Sequence, residues 1–309
     1  MGGAFVTQME RDLAVLRENT SLLSRRLLRE TEKRLPLLEE LANLARQESR
    51  MEEDLSPLAR MRRAAHAMLA TDNLRTDGSA ITHTLAEAYS AADCAAYIEA
   101  YLSLCEMQGE GLAVADLLPV AMPSAARITY VRNAYADEAY EDFTALLPEP
   151  TVQYADSFRE ACGTVAAGEA DFCILPYRSS AGLLASFAEM AAHHSLYVCA
   201  LCRVFHADGT DATHFALYGR ALLPPEGDGM LLRCSFLCPD TEALSKHICA
   251  AAMLGVELQE LSAEPYAASE GSLLCKVTAF PQKERLLPWL AYLLVFADGG
   301  ACHGLYKEI

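Results

Sequence analysis

The sequence predicts a multi-domain chain of three parts: an all-α segment over residues 1–110, a single-lobed α/β segment over 127–222, and a βαββαβ module over 229–309. Three observations carry this. No glycine interrupts the chain between Gly3 and Gly78, and only Pro36 and Pro57 could break a helix there. From Arg127 to Arg220 short apolar runs alternate with helical patterns, the signature of strands and helices in turn. After Met230 the periods run strand, helix, strand, strand, helix, strand.

In the first part Leu13, Leu16, Leu23 and Leu27 recur at three, seven and four residues, which places them on one helix face. This helix is expected to reach the 47–54 region. A second runs from Ser56, a cap before Pro57, to about Thr71, and a third from about Ser79 to Met107. Gly109 to Ala126, with Pro119 and Pro123, reads as a linker. The α/β part is expected to hold strand Ile128–Val131, helix Glu138–Leu147, strand Val152–Tyr154, helix Phe158–Ala167 and strand Phe172–Leu175. A helix near Ala181 follows, capped by serines. Two apolar runs, Leu196–Phe205 and Thr213–Tyr218, flank Asp208-Gly209, a strong hairpin signal. The last part divides into strand Leu231–Leu237, helix Thr241–Met253, strands Val256–Leu261 and Ser272–Phe280, helix Lys283–Leu294 and a short strand near Gly304–Tyr306, a ferredoxin-like order.

Composition restricts function. The 309 residues are 52% hydrophobic, enough for more than one core. The net charge of −17 is uneven: residues 1–75 carry 13 basic against 12 acidic side chains, and the remainder 12 against 30. An acidic body repels phosphate, so nucleic-acid binding is not expected. No run nears the ~20 apolar residues of a membrane span, and MGGAFVTQMERDL lacks the order of a signal peptide, so no membrane association and a cytoplasmic location are expected. The eleven cysteines lie mostly in apolar runs at irregular spacing, as reduced core thiols do. Cys199 and Cys202, three apart on a strand, should point to opposite faces and share no metal. No metal or cofactor is expected.

Ser157-Phe158, Val165, Gly168-Glu-Ala-Asp171, Phe172 and Pro176, followed by Thr213-His214-Phe215, resemble the prephenate dehydratase family. There a segment S-F-x6-V-x2-G-E-A-D-[FY]-x3-P-I-E-N-S leads to the active site and a Thr-Arg-Phe triplet returns to it. The resemblance implies that Thr213 is the catalytic threonine and that Ser179 and Ser180 stand in the active-site turn. It also implies departures: Glu-Asn-Ser becomes Arg178-Ser179-Ser180, the arginine of the triplet is His214, and the family's second lobe, inserted before that strand, is replaced by the Asp208-Gly209 turn. Prephenate dehydration removes a ring hydroxyl and carbon dioxide together, which a two-sided, water-excluding cleft favours. Half a cleft and altered reactive residues point away from that chemistry. A second reading makes Thr213 a β-branched strand residue and the serines helix caps.

The first part resembles the helical chorismate mutase domain that often precedes the dehydratase. Arg17 and Arg34 keep the spacing of the two family arginines that bind the substrate carboxylates. At about 25 Å apart on one helix, they could serve a single site only with a second protomer, which implies a homodimer. The family lysine falls at Ala45, with Arg46 beside it, and the family acid at Asp54. Losing a preorganised donor costs about 3–4 kcal/mol. The alternative is that these arginines are solvated helix-surface charges. The last part resembles the phenylalanine-binding ACT domain, with the effector-binding turns at Glu242-Ala243-Leu244 and Ser262-Ala263-Glu264-Pro265. The resemblance implies a protein of phenylalanine biosynthesis, with chorismate, prephenate or phenylalanine as small-molecule partners. A catalytically degenerate binding or regulatory role leads, ahead of an active chorismate mutase and of a scaffold partner of an intact pathway enzyme.

Overall fold

The computed structural model describes residues 56–73, 90–107, 109–207, 211–266 and 271–309. The chain divides into two units, Met1–Leu112 and Ala113–Ile309. In the first, helix α1 spans Pro57–Asn73 and α2 spans Ala91–Met107. Ser56 caps α1, its Oγ accepting from Ala59 N at 3.3 Å. Ser90 caps α2, accepting from Asp93 N and donating to its carboxylate. Of the helix expected from Ser79 to Met107, residues 79–89 lie outside the described residues, and the described helix starts at Ala91, where the Ser90–Asp93 box caps it. Tyr97 donates to the Met61 carbonyl at 3.2 Å, joining the two helices over buried Met61, Ala65 and Ile98. The expected first helix, and with it Arg17, Arg34, Arg46 and Asp54, lies outside the described residues.

The second unit opens with a short helix α3, Val114–Leu117, inside the stretch read as a linker. Then follow β1 Arg127–Tyr130, α4 Ala134–Thr144, β2 Thr151–Tyr154, α5 Phe158–Ala166, β3 Phe172–Ser179, β4 Gly182–Leu183, α6 Ala185–His193, β5 Tyr197–Phe205 and β6 Ala212–Gly219. The C-terminal module supplies β7 Leu231–Cys238, α7 Thr241–Met253, β8 Val256–Pro265, β9 Leu273–Pro281, α8 Lys283–Phe296 and β10 Asp298–Tyr306. The helix starts follow from side-chain caps: Asn133 for α4, Ser157 for α5 and Asp240 for α7, each accepting from the backbone three residues on.

The ten strands among the described residues form one sheet. Its order is β2-β1-β3-β6-β5-β10-β7-β9-β8, with β4 on β3. β1, β2 and β3 are parallel, and β6 runs antiparallel to both β3 and β5, so β5 and β6 form the predicted hairpin. Residues 208–210 of its turn lie outside the described set. The order β10-β7-β9-β8 is that of a split βαβ module. The expected short last strand is thus nine residues long and sits near the centre of the sheet, where it joins the two halves. There Gly304 lies opposite Val198 in parallel register, and backbone bonds of 2.9 Å from Leu201 N to the Lys307 carbonyl and from Ile309 N to the Leu201 carbonyl continue the seam. A Cβ at position 304 would stand 2.7 Å from the Val198 Cβ. Only glycine lets these strands close.

Helix α4 covers one face of the first half, packing Ala139 and Phe143 on Ile128 and Phe172. Helices α5 and α6 cover the other, with Cys162, Val165 and Ala191 against Cys173, Val198 and Tyr218. In the C-terminal module α7 packs on β7 and β8, and α8 on β9 and β10. Cys199 and Cys202 join the same core cluster, against the expected opposite faces. The cause is a bulge: the β5–β6 register slips between Val198 and Ala200, which resets the two-residue alternation. Nine of the eleven cysteines are buried and all are free thiols, so they act as core apolar residues. No helix among the described residues is long and apolar enough to cross a membrane.

The sheet is strongly curled. β3 and β8 are six strand spacings apart in the order, about 29 Å on a flat sheet. Yet Arg178 on β3 pairs with Glu260 on β8, and Tyr177 on β3 accepts from Arg233 Nη1 on β7 at 2.6 Å. The sheet closes into a trough around the α6 side.

Two outcomes follow from this packing. Gly304→Val should lower the unfolding free energy by about 1–3 kcal/mol through overpacking at the seam. Urea unfolding checks this, and a variant as stable as the parent would mean that β10 is not seated on β5. Buried His247, bonded through Nδ1 to Tyr292 Oη at 2.7 Å, has its pKa lowered to about 4 by burial, with a smaller push from Lys246. The neutral ring therefore stabilises the fold above the ordinary value near 6.5, and that contribution is lost as pH falls towards 4. The stability difference between parent and His247→Gln should shift by roughly 2–3 kcal/mol between pH 7 and pH 4, in favour of the variant at acid pH.

Candidate functional site

The Gly-Glu-Ala-Asp signature is resolved first as architecture. Helix α5 ends in a Schellman turn: Gly168 adopts φ +79°, its N–H bonds the Val165 carbonyl, and Glu169 N–H bonds the Thr164 carbonyl. Ala170 is buried. Asp171 then grips Arg127 at the start of β1, its oxygens accepting from Nη2 and Nε at 2.9 and 3.0 Å and from the Arg127 backbone N–H. That partner holds the Asp171 carboxyl below its ordinary range. The motif sets the α5-to-β3 turn against β1.

The dehydratase-like residues meet at the end of the sheet where β1, β3 and β5 finish, the usual ligand edge of an open α/β sheet. Thr213 Oγ1 lies 2.9 Å from His206 Nε2, and Ser180 Oγ donates to Asp211 Oδ2 at 3.0 Å. His206 Nδ1 stands 4.0 Å from the same Asp211 oxygen, and the Tyr135 ring lies 5.0 Å from the imidazole. Thr213 and Ser180 thus belong to one cluster, linked through Asp211 and His206. A hydroxyl beside an imidazole can pass a proton, but 4.0 Å is beyond hydrogen-bond length to the carboxylate that would orient the ring. Ser180 is exposed, so water reaches the cluster. The serines cap no helix. Ser179 accepts from Ala181 N within the β3–β4 turn, and α6 begins at Ala185 without a side-chain cap. Strand β3 outlasts its expected end because β4 pairs with it. His214 bonds Glu308 at 3.0 Å, and Arg178, where the family has glutamate, is used up on Glu260.

The effector-like residues divide between two elements. Ala243 and Leu244 form the first turn of α7, held by Asp240, while Ser262 and Pro265 lie exposed on the edge strand β8. The register Cys238–Leu273–Pro265 brings both to the same end of the sheet.

A cavity of about 400 Å³ lies elsewhere, in the trough between α6 and the face of β7, β9 and β10 opposite α7 and α8. Such a volume is within the range of small-molecule sites. Ala188 and Ala192 of α6, with Leu183, Val198 and Leu274, form apolar walls. Arg233, Ser235, Lys276, His303 and Glu189 supply the polar groups. Ser235 Oγ and His303 Nε2 are 2.6 Å apart. Burial, then the charges of Arg233 and Lys276, lowers the His303 pKa, which keeps its ring neutral near pH 7. Arg233 is held by Tyr177, donating to its hydroxyl and lying 5.3 Å from its ring centre, and Lys276 pairs with Glu264 at 3.0 Å. Tyr218 also lines the cavity, and its buried hydroxyl has no hydrogen-bond partner. Leaving such a group unpaired costs about 1–3 kcal/mol. Among the described residues no group of His, Cys, Asp and Glu could hold a metal ion. Sequence reasoning missed this cavity. Its one signal was Arg233, the single charged residue in the run Leu231–Cys238.

No protein-family model matches the chain, and no curated protein matches it. Similar solved structures include prephenate dehydratase from Streptococcus mutans, at 15% identity and TM-score 0.46, covering 60% of this chain and 99% of that one. Prephenate dehydratase in complex with L-Phe from Arthrobacter aurescens gives 15% and 0.45, over 59% and 90%. GqqA, described as a novel type of quorum quenching acylase, gives 20% and 0.44, over 59% and 94%. With identities below 25% and TM-scores below 0.5, these likenesses carry no inference about activity or ligand.

Proposed function

We propose that this protein is a catalytically degenerate relative of the prephenate dehydratases of phenylalanine biosynthesis, which binds a small acid of that pathway instead of dehydrating prephenate. The observation that carries this reading is the direct joining of β5 to β6 through residues 206–211, at the point where the family inserts its second lobe. The Ser180–Asp211 pair is consequently exposed, and the His206–Thr213 pair beside it is only partly buried. Departure of the ring hydroxyl needs an enclosed acid in fixed geometry, and an open cluster supplies neither the enclosure nor a close carboxylate behind the imidazole. The resemblance of the motifs around Gly168–Asp171 and Thr213 supports the pathway, and the altered reactive positions support a binding or regulatory role.

The test uses the purified full chain. Phenylpyruvate formation from prephenate is expected to stay at the level of the buffer control. Chorismate, prephenate or phenylalanine, at about 100-fold its Kd, is expected to raise Tm by about 5–10 °C. Prephenate turnover that disappears in Thr213→Val would overturn the reading. Chorismate loss that disappears in Arg34→Ala would replace it with a mutase function, and no response to any of the three acids would refute a pathway ligand.

A further inference from the structure

We propose that the trough cavity between α6 and the open face of β7, β9 and β10 is a binding site for a small monocarboxylate with an apolar, aromatic-sized body. This rests on the reading of the chain as a ligand-binding protein, and it places the ligand away from both the Thr213 cluster and the α7–β8 turns. Three features select the ligand. The walls are aliphatic, from Leu183, Ala188, Ala192, Val198 and Leu274, and so take an apolar group. Charge selects the sign and number. Arg233 is held in place by the Tyr177 hydroxyl and makes no ion pair among the described residues, whereas Lys276 already has Glu264 and the cavity also contains Glu189. Arg233 is thus the one cation of the cavity wall without a carboxylate partner among the described residues, which suits one carboxylate; a phosphate or dicarboxylate dianion would bring a second negative charge towards Glu189 with no second unpaired cation to meet it.

The third feature is Tyr218. Its ring lines the cavity and its hydroxyl is buried behind the wall with no partner, so a ligand oxygen that opens the wall there would satisfy a donor that the fold leaves idle. Ser235 and His303 hold each other and form a neutral polar floor. The curl of the sheet makes the site: without the Tyr177–Arg233 and Arg178–Glu260 ties, the guanidinium would not face α6.

The probe is 3-phenylpropionate, compared with 3-phenyl-1-propanol, which has the same body and no charge. Calorimetry on the full chain should show the acid binding and the alcohol at least about tenfold weaker, the ratio expected for losing one charge-assisted hydrogen bond. Tyr218→Phe should weaken the acid by about fivefold to tenfold without lowering Tm, because it removes an unpartnered hydroxyl. Ala188→Phe, which fills the cavity from an α6 position, should abolish binding while the thermal transition stays cooperative. Equal affinity for acid and alcohol, or acid binding unchanged by Ala188→Phe, or no binding at all, would overturn the proposal. If 3-phenylpropionate binds in this way but chorismate, prephenate and phenylalanine do not, the site stands and the pathway reading falls. If those acids bind and Ala188→Phe leaves them unaffected, the pathway reading stands and this site falls.

Discussion

The seam between β5 and β10 is the constraint on which the architecture depends. Two segments that the sequence presents as separate modules become one sheet because Gly304 has no side chain to keep β10 away from Val198. A parallel pairing contributes hydrogen bonds along a short stretch only, and the bonds from Leu201 to Lys307 and Ile309 extend it. Once the seam exists, the right-handed twist accumulated over successive strands bends the far edges towards each other. Arg178 can then reach Glu260, and Arg233 can reach Tyr177. The cavity is a product of that bend, with neither half of the sheet able to form it alone.

Much of the element order was legible because it is written locally. Asp240 before Thr241 and Ser157 before Phe158 mark helix starts with side chains that accept backbone N–H groups three residues later. The apolar runs before and after Asp208-Gly209 marked the β5–β6 pair. What sequence could not carry was non-local. The last strand, expected only near Gly304–Tyr306, begins at Asp298, and the backbone at Gly300 passes so close to α8 that a Cβ there would stand 2.2 Å from the Leu293 carbonyl oxygen. The alternation that should have separated Cys199 from Cys202 fails at a bulge whose cause lies in the register with β6. Serines beside a helical pattern looked like caps, and pairing with β4 drew them into a strand turn instead.

The candidate site shows the same division. Thr213 and Ser180 were singled out by motif, and they do belong to one cluster, but His206 and Asp211, which connect them, come from the hairpin that was read only as a closure. Arg178 was read as the loss of a family glutamate. Its partner Glu260 is 82 residues away, and only the curl of the sheet reveals the change as an ion pair between the halves. Arg233 and Tyr218 carry no motif at all. Their significance comes from what surrounds them: an aliphatic hollow, a neutral histidine and a hydroxyl without an acceptor.

The strand that completes the seam is separated from β5 by about a hundred positions of chain, so β5 must wait for its neighbour during folding. In the interval its free backbone edge, flanked by Leu201, Cys202 and Val204, is open to pairing with any other extended chain. Slow, topology-limited assembly of this kind favours self-association at high concentration. The acidic excess of residues 76–309 opposes it, since like-charged intermediates repel before their edges can meet.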